Sequence, residues 1–80
     1  MDIKILGSGC PKCQRLEQLT RETAVELGID AHFEHVREVA KIVEFNVLST
    51  PALVIDGDVK AAGRLPSKPE ISAWLESARG

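Results

Sequence analysis

The chain has 80 residues, 44% of them apolar and 28% charged, with ten Lys and Arg against twelve Asp and Glu for a formal net charge of −2. That length holds one core, so residues 1–80 are expected to form a single domain, and the composition excludes the disordered class. The dispersed charge provides no basic patch for nucleic acid, and no apolar run approaches a signal peptide or the ~20 residues of a membrane span.

Residues 2–6, DIKIL, read as a short strand bounded by Gly7 and Gly9. From Pro11 to about Leu27 the pattern is helical. Leu16, Leu19, Thr23, Ala24 and Leu27 make one stripe, while Arg15, Glu17, Arg21, Glu22 and Glu26 face outward. Gly28 stops this helix at the position after its C-cap. Ile29, Ala31 and Phe33 then alternate with Asp30, His32 and Glu34, as in a half-buried strand. A shorter helix is predicted over residues 38–45, burying Val39, Ile42 and Val43. PALVI (51–55) is an apolar run of strand length, and Val59–Ala62 is its predicted partner. Asp56-Gly57 between them suits a type I′ hairpin turn, which needs positive φ at both central positions. Ser67 and Glu70 fit a capping box, and the helix after them is expected to bury Ile71, Trp74, Leu75 and Ala78. The order is βαβαββα. The first two strands are predicted parallel through a right-handed crossover, and the last two antiparallel. The fold class is therefore α/β, a four-stranded mixed sheet with helices on both faces.

The only two cysteines, Cys10 and Cys13, lie in LGSGCPKC between the first strand and the first helix. Cys10 is placed at the N-cap, Pro11 at the first helical position, where its missing N–H costs nothing, and Cys13 one turn inside. An N-cap sulfur can accept hydrogen bonds from the Lys12 and Cys13 amides. The positive end of the helix and the Lys12 ammonium favour a thiolate over a thiol. Cys10 is therefore read as the attacking nucleophile, Cys13 as the resolving sulfur, and Pro11 and Lys12 as residues that tune the pair. The expected setting is the cytoplasm, where a structural disulfide does not persist. A soft-metal module is the alternative from another class. Structural zinc usually takes four ligands, the chain has no third cysteine, and His32 and His35 read as solvated strand residues on opposite faces. The strand–CxxC–helix context favours redox chemistry.

Taken in order, ILGSGCPKC, STPALVIDGDV and GRLPS resemble the small thioredoxin-like redox-active disulfide proteins of prokaryotes, a compact branch of the thioredoxin and glutaredoxin superfamily. The resemblance spans essentially the whole chain. It implies a thioredoxin-like fold with a cis peptide bond between Thr50 and Pro51, with Pro51 beside the disulfide and the Thr50 backbone pairing with an extended substrate. It implies a protein disulfide oxidoreductase that needs no cofactor, is recharged by a thioredoxin reductase-type donor and works as a monomer. Gly7 and Gly9 on one side of Cys10, and Gly63 near Thr50-Pro51 on the other, are expected to leave room for the incoming chain. A glutathione-linked, glutaredoxin-like protein is the nearer alternative. The chain departs from the thioredoxin pattern in two places. Pro-Lys fills the CxxC, and Lys4 stands at the strand position where thioredoxins carry a buried acid, which leaves no base assigned to Cys13. It lacks the Gly-Gly-x-Asp segment of glutaredoxins, having AAGRLPS instead, and Arg64 there reads as an ordinary surface arginine.

Overall fold

Side chains alternate across a strand, and DIKIL uses that alternation to serve two cores at once. A computed structural model describes residues 1–79. The elements are β1 (Asp2–Leu6), α1 (Pro11–Glu26), β2 (His32–Val36), α2 (Val39–Val43), β3 (Ala52–Ile55), β4 (Asp58–Ala62) and α3 (Lys68–Arg79). The sheet order is β2-β1-β3-β4. β1 pairs parallel with β2 and antiparallel with β3, and β3 pairs antiparallel with β4. The mixed four-stranded sheet predicted from the pattern is the one observed.

Ile3 and Ile5 of β1, with Leu53 and Ile55 of β3, point to one face. There they meet Leu16, Leu19 and Ala24 of α1 and Ile71 and Leu75 of α3. Leu6, Ala52 and Val54 point to the other face and pack with Val36, Ile42 and Val47. Helices thus cover both faces, with α1 and α3 on one and α2 on the other. Central β1 and β3 place fully buried residues in both cores, and β2 joins them with Val36 in one and half-buried Phe33 against the other.

The local signals in the sequence explain most of the boundaries. Gly28 has φ 69°, and its N–H donates to the Val25 carbonyl while that of Ile29 donates to Ala24. That pairing is a Schellman ending. Asp56 and Gly57 have φ 49° and 86°, both positive as the tight hairpin requires. Ser67 and Glu70 close the capping box in both directions. The Glu70 N–H donates to Ser67 Oγ (3.3 Å), and the Ser67 N–H donates to Glu70 Oε1 (3.0 Å).

Several expectations are corrected. β2 lies at His32–Val36 rather than starting at Ile29, because Ile29 is taken up in the α1 ending. Its extent follows β1 residue for residue, from Asp2 opposite His32 to Leu6 opposite Val36. α2 is a helix of five residues that buries Ile42 alone. Val39 and Val43 are 74% and 60% exposed, and Val47 beyond the helix fills the core in their place. In α3, Ile71 and Leu75 are buried and Trp74 is half-buried, but Ala78 is exposed on the last turn. Thr20, outside the predicted stripe, is fully buried, and its hydroxyl is satisfied by donating to the Leu16 carbonyl at 2.7 Å.

Candidate active site

Three segments converge at the end of β1: the Gly7–Gly9 loop with the start of α1, the Thr50–Pro51 entry to β3, and the exit of β4 at Gly63. Cys10 is the N-cap residue, extended at φ −65° and ψ 165°, and Pro11 opens the helix. The Cys10 carbonyl accepts the first helical bond from the Gln14 N–H at 3.0 Å. Cys13 is fully buried and Cys10 only partly so; both are free thiols, with their sulfurs 2.9 Å apart. One sulfur therefore meets solvent and the other sits directly beneath it.

The two thiols are driven apart in acidity. The Cys10 thiol is pulled below its ordinary value, chiefly by hydrogen bonding to the Cys13 side chain, with help from the Cys13 and Lys12 backbone amides. The Cys13 thiol is pushed up, first by burial and then by the same contact with Cys10. Of the two sulfurs Cys10 is thus the one that ionises first, and Cys13 is the one left to donate its S–H to it. Two details differ from the sequence expectation. Cys10 closes no full side-chain capping bond, so the amides act as nearby dipoles rather than as capped donors. Lys12 is exposed and contributes through its amide, its ammonium not being among the leading causes.

Gly7 has a role that sequence reasoning missed. A β-carbon on it would stand 2.3 Å from Cys13 Sγ and 3.6 Å from Thr50 Cβ. Gly7 is therefore the seat of the buried sulfur, and it brings Thr50 to the same spot. The Thr50–Pro51 peptide bond is cis; Pro51 is buried and Thr50 exposed. The Gly63 N–H donates to the Pro51 carbonyl at 2.9 Å, which ties the β4 exit to the β3 entry. A side chain at Gly63, where φ is 77°, would meet Ser49 Cβ at 2.8 Å. Gly9 lies on the other side, away from Thr50. Its carbonyl accepts from Gln14 Nε2 (3.0 Å), and the Arg37 guanidinium stands 3.1 Å from where its β-carbon would be. The room expected beside Gly9 is thus roofed by a cation.

The histidines are corrected in part. They do lie on opposite faces of β2, and His32 is exposed. His35, however, is not solvated. Its side chain is 13% exposed, with Nδ1 3.0 Å from Glu17 Oε1 and Nε2 3.2 Å from the Gly7 carbonyl. Among the described residues no group of three or more His, Cys, Asp or Glu side chains converges as metal ligands would. Lys4 turns to Asp2 and Glu34 on the sheet surface. Arg64 is no lone surface arginine: it grips Glu70 with two bonds of 3.0 and 2.8 Å. None of these contacts had a sequence signal beyond charge, because each joins residues brought together by the fold or the turn.

A largely apolar groove of about 300 Å³ is lined by Val39, Ile42, Val43, Val47 and Leu48, with Ser8, Thr50 and the cation Arg37 also in its wall. Leu48 is fully exposed.

The family described as thioredoxin domain matches residues 1–76. A thioredoxin of Methanothermobacter thermautotrophicus is 48% identical over 75 residues, covering 94% of this chain and 97% of that protein. A thioredoxin of Methanocaldococcus jannaschii is 39% identical over 75 residues, covering 94% of this chain and 86% of its own.

Proposed function

This chain belongs to the thioredoxin family, and on that premise we propose how it works as a thiol–disulfide oxidoreductase. Cys10 is the nucleophile and Cys13 the resolving sulfur. The observation that carries this assignment is the stacked pair itself, one sulfur open to solvent and the other buried 2.9 Å below it.

The Cys10 thiolate attacks one sulfur of a substrate disulfide. The substrate S–S bond breaks, the departing sulfur leaves as a thiolate, and a mixed disulfide joins Cys10 to the substrate. Cys13 now gives up its S–H proton, taken through solvent by the substrate thiolate released in the first step, and attacks the Cys10 sulfur. The mixed disulfide breaks, the second substrate sulfur leaves as a thiolate, and the Cys10–Cys13 disulfide forms. The substrate has gained two electrons and the protein has lost two. A thioredoxin reductase-type donor returns them.

The substrate class we infer is a disulfide within a protein. The groove lined by Thr50, Val39, Val43 and Leu48 suits an extended chain with apolar side chains, and Arg37 in the same lining is placed to pair with an acidic group on that chain. In this reading the Thr50 backbone pairs with the incoming chain, Pro51 packs beside the sulfurs, Gly63 keeps one flank low, and Gly9 borders the other under the Arg37 guanidinium. Pro11 and Lys12 set the start of the helix and so tune Cys10. A reversible dithiol suits the reducing cytoplasm, which is the setting we infer. Among the described residues no helix is long and apolar enough to cross a membrane.

Trapping tests the assignment. Cys13→Ser should accumulate a stable mixed disulfide with a substrate thiol, because the second exchange is lost, whereas Cys10→Ser should accumulate none. Equal trapping by both variants, read by mass spectrometry, would overturn it.

A further inference from the structure

A neutral imidazole carries one N–H and one lone pair, so it can donate to only one of two acceptors. Both ring nitrogens of His35 face acceptors: Glu17 Oε1 at 3.0 Å on one side and the Gly7 carbonyl at 3.2 Å on the other. The remaining Glu17 oxygen accepts from Arg21 Nε at 3.1 Å, so the carboxylate is used on both sides. Only the imidazolium form of His35 donates to both partners.

Gly7 is held by β2 at both of its backbone groups. Its N–H donates to the Val36 carbonyl at 2.9 Å, and its carbonyl receives the His35 side chain. This is the residue whose α-carbon seats Cys13 Sγ so closely that a β-carbon would stand 2.3 Å from the sulfur. Glu17 is itself anchored, since its partner Arg21 lies over the Phe33 ring at 4.5 Å. The clamp therefore runs from a fixed ion pair on α1, through a half-buried ring on β2, to the backbone that supports the buried sulfur.

We propose that His35 is a positioning residue for the resolving step: clamped by Glu17, it donates to the Gly7 carbonyl and fixes the backbone on which Cys13 rests. When the ring loses a proton, the charged Glu17 carboxylate, the stronger acceptor, keeps the remaining Nδ1–H. The lone pair left on Nε2 then faces the Gly7 carbonyl, and the bond there is replaced by repulsion. The charged residues around His35 are Glu17 and Arg21 from α1 with Arg37 beyond β2 in one cleft, and Glu34, Glu38 and Lys41 with Arg37 in the cleft on its other side. Cys13 lies across Gly7. No electron or proton needs to pass through His35; it acts on the geometry of exchange.

The proposal rests on Cys13 being the resolving sulfur, and two readouts keep the two failures apart. The first needs no catalysis: the Gly7 carbonyl ¹³C shift is followed with the His35 ring ¹⁵N shifts across pH in the reduced protein. In the wild type the carbonyl should titrate in step with the ring. In Glu17→Gln it should stay flat, because the new amide can donate to Nδ1 and leave Nε2–H for Gly7 when the ring is neutral. The second readout is the rate at which Cys13 releases a small thiol from a mixed disulfide on Cys10. As His35 loses its proton, the wild-type rate should fall about three- to tenfold relative to Glu17→Gln, the size of one hydrogen bond. A carbonyl that ignores the ring overturns the clamp. A carbonyl that follows the ring while the two rates keep a constant ratio overturns its part in exchange. Failure of Cys13→Ser to trap would remove the resolving role, and with it that second claim, while the carbonyl titration still decides the first.

Discussion

Gly7→Ala isolates the contact on which the buried sulfur depends. The new β-carbon would stand 2.3 Å from Cys13 Sγ, against the ~3.5–4.0 Å at which non-bonded heavy atoms rest. Something must move by more than about 1 Å. Cys13 is wholly buried, with Cys10 2.9 Å away on its open side, so the strain falls on α1 or on the loop. Overpacking of this kind costs roughly 1–3 kcal/mol, and a domain of this size loses about 4–8 °C of melting temperature per kcal/mol. The next contacts of the same β-carbon are Cys13 Cβ at 3.4 Å and Thr50 Cβ at 3.6 Å, tolerable once the sulfur is gone. In a Cys13→Ala background Gly7→Ala should therefore keep only the backbone cost of an L residue at φ 159°, which both backgrounds share and the cycle cancels. Urea unfolding of the four proteins under reducing conditions gives the coupling energy, expected at about 1–2 kcal/mol. Coupling within ~0.3 kcal/mol of zero would mean that Gly7 does not seat the sulfur.

The parts of this molecule legible in the sequence are those set by neighbours along the chain. Gly28, Asp56-Gly57 and the Ser67/Glu70 box each act within four residues, and each marks its turn or helix end where expected. The cysteine pair is legible for the same reason, since its chemistry follows from a strand end, a proline and a helix start. What failed was set by distant partners. The start of β2 depends on β1, thirty residues earlier by the Asp2–His32 pairing. The helical spacing of Val39 and Val43 predicts a buried stripe, yet α2 ends after five residues and buries Ile42 alone. The groove those valines leave beside Thr50 is where the spacing argument and the site diverge. Periodicity shows which residues share a face, and only the fold decides whether another layer covers that face. His35, Arg37 and Glu17 were invisible as a group because the ring spans 18 positions to Glu17 and 28 to Gly7.

Two titrations complete the test of the electrostatics. The leading cause of the acidity of Cys10 is its bond to Cys13, so Cys13→Ala should raise the midpoint of Cys10 thiolate absorbance more than Lys12→Met does. The reverse order would return the leading role to the lysine. The other concerns the pH dependence of stability at the Arg64–Glu70 pair. Glu70 is held down to about 2, first by Arg64 and then by the Ser67 amide, from an ordinary value of 4.5. A carboxyl depressed by folding binds its proton more readily in the unfolded chain, so protonation favours unfolding. The stability Glu70 contributes is fully present above about 4.5 and drains away as pH falls through the window down to about 2. Arg64→Gln removes the largest cause and should narrow that window. The gap in urea midpoint between wild type and variant should then be widest above the window and close toward its acid end. Because both side chains are substantially exposed, added salt should shrink the gap. A gap that is constant from neutral pH down through the window would show that Arg64 supports the β4–α3 connection by packing alone, and that its two bonds to Glu70 carry no charge-dependent share of stability.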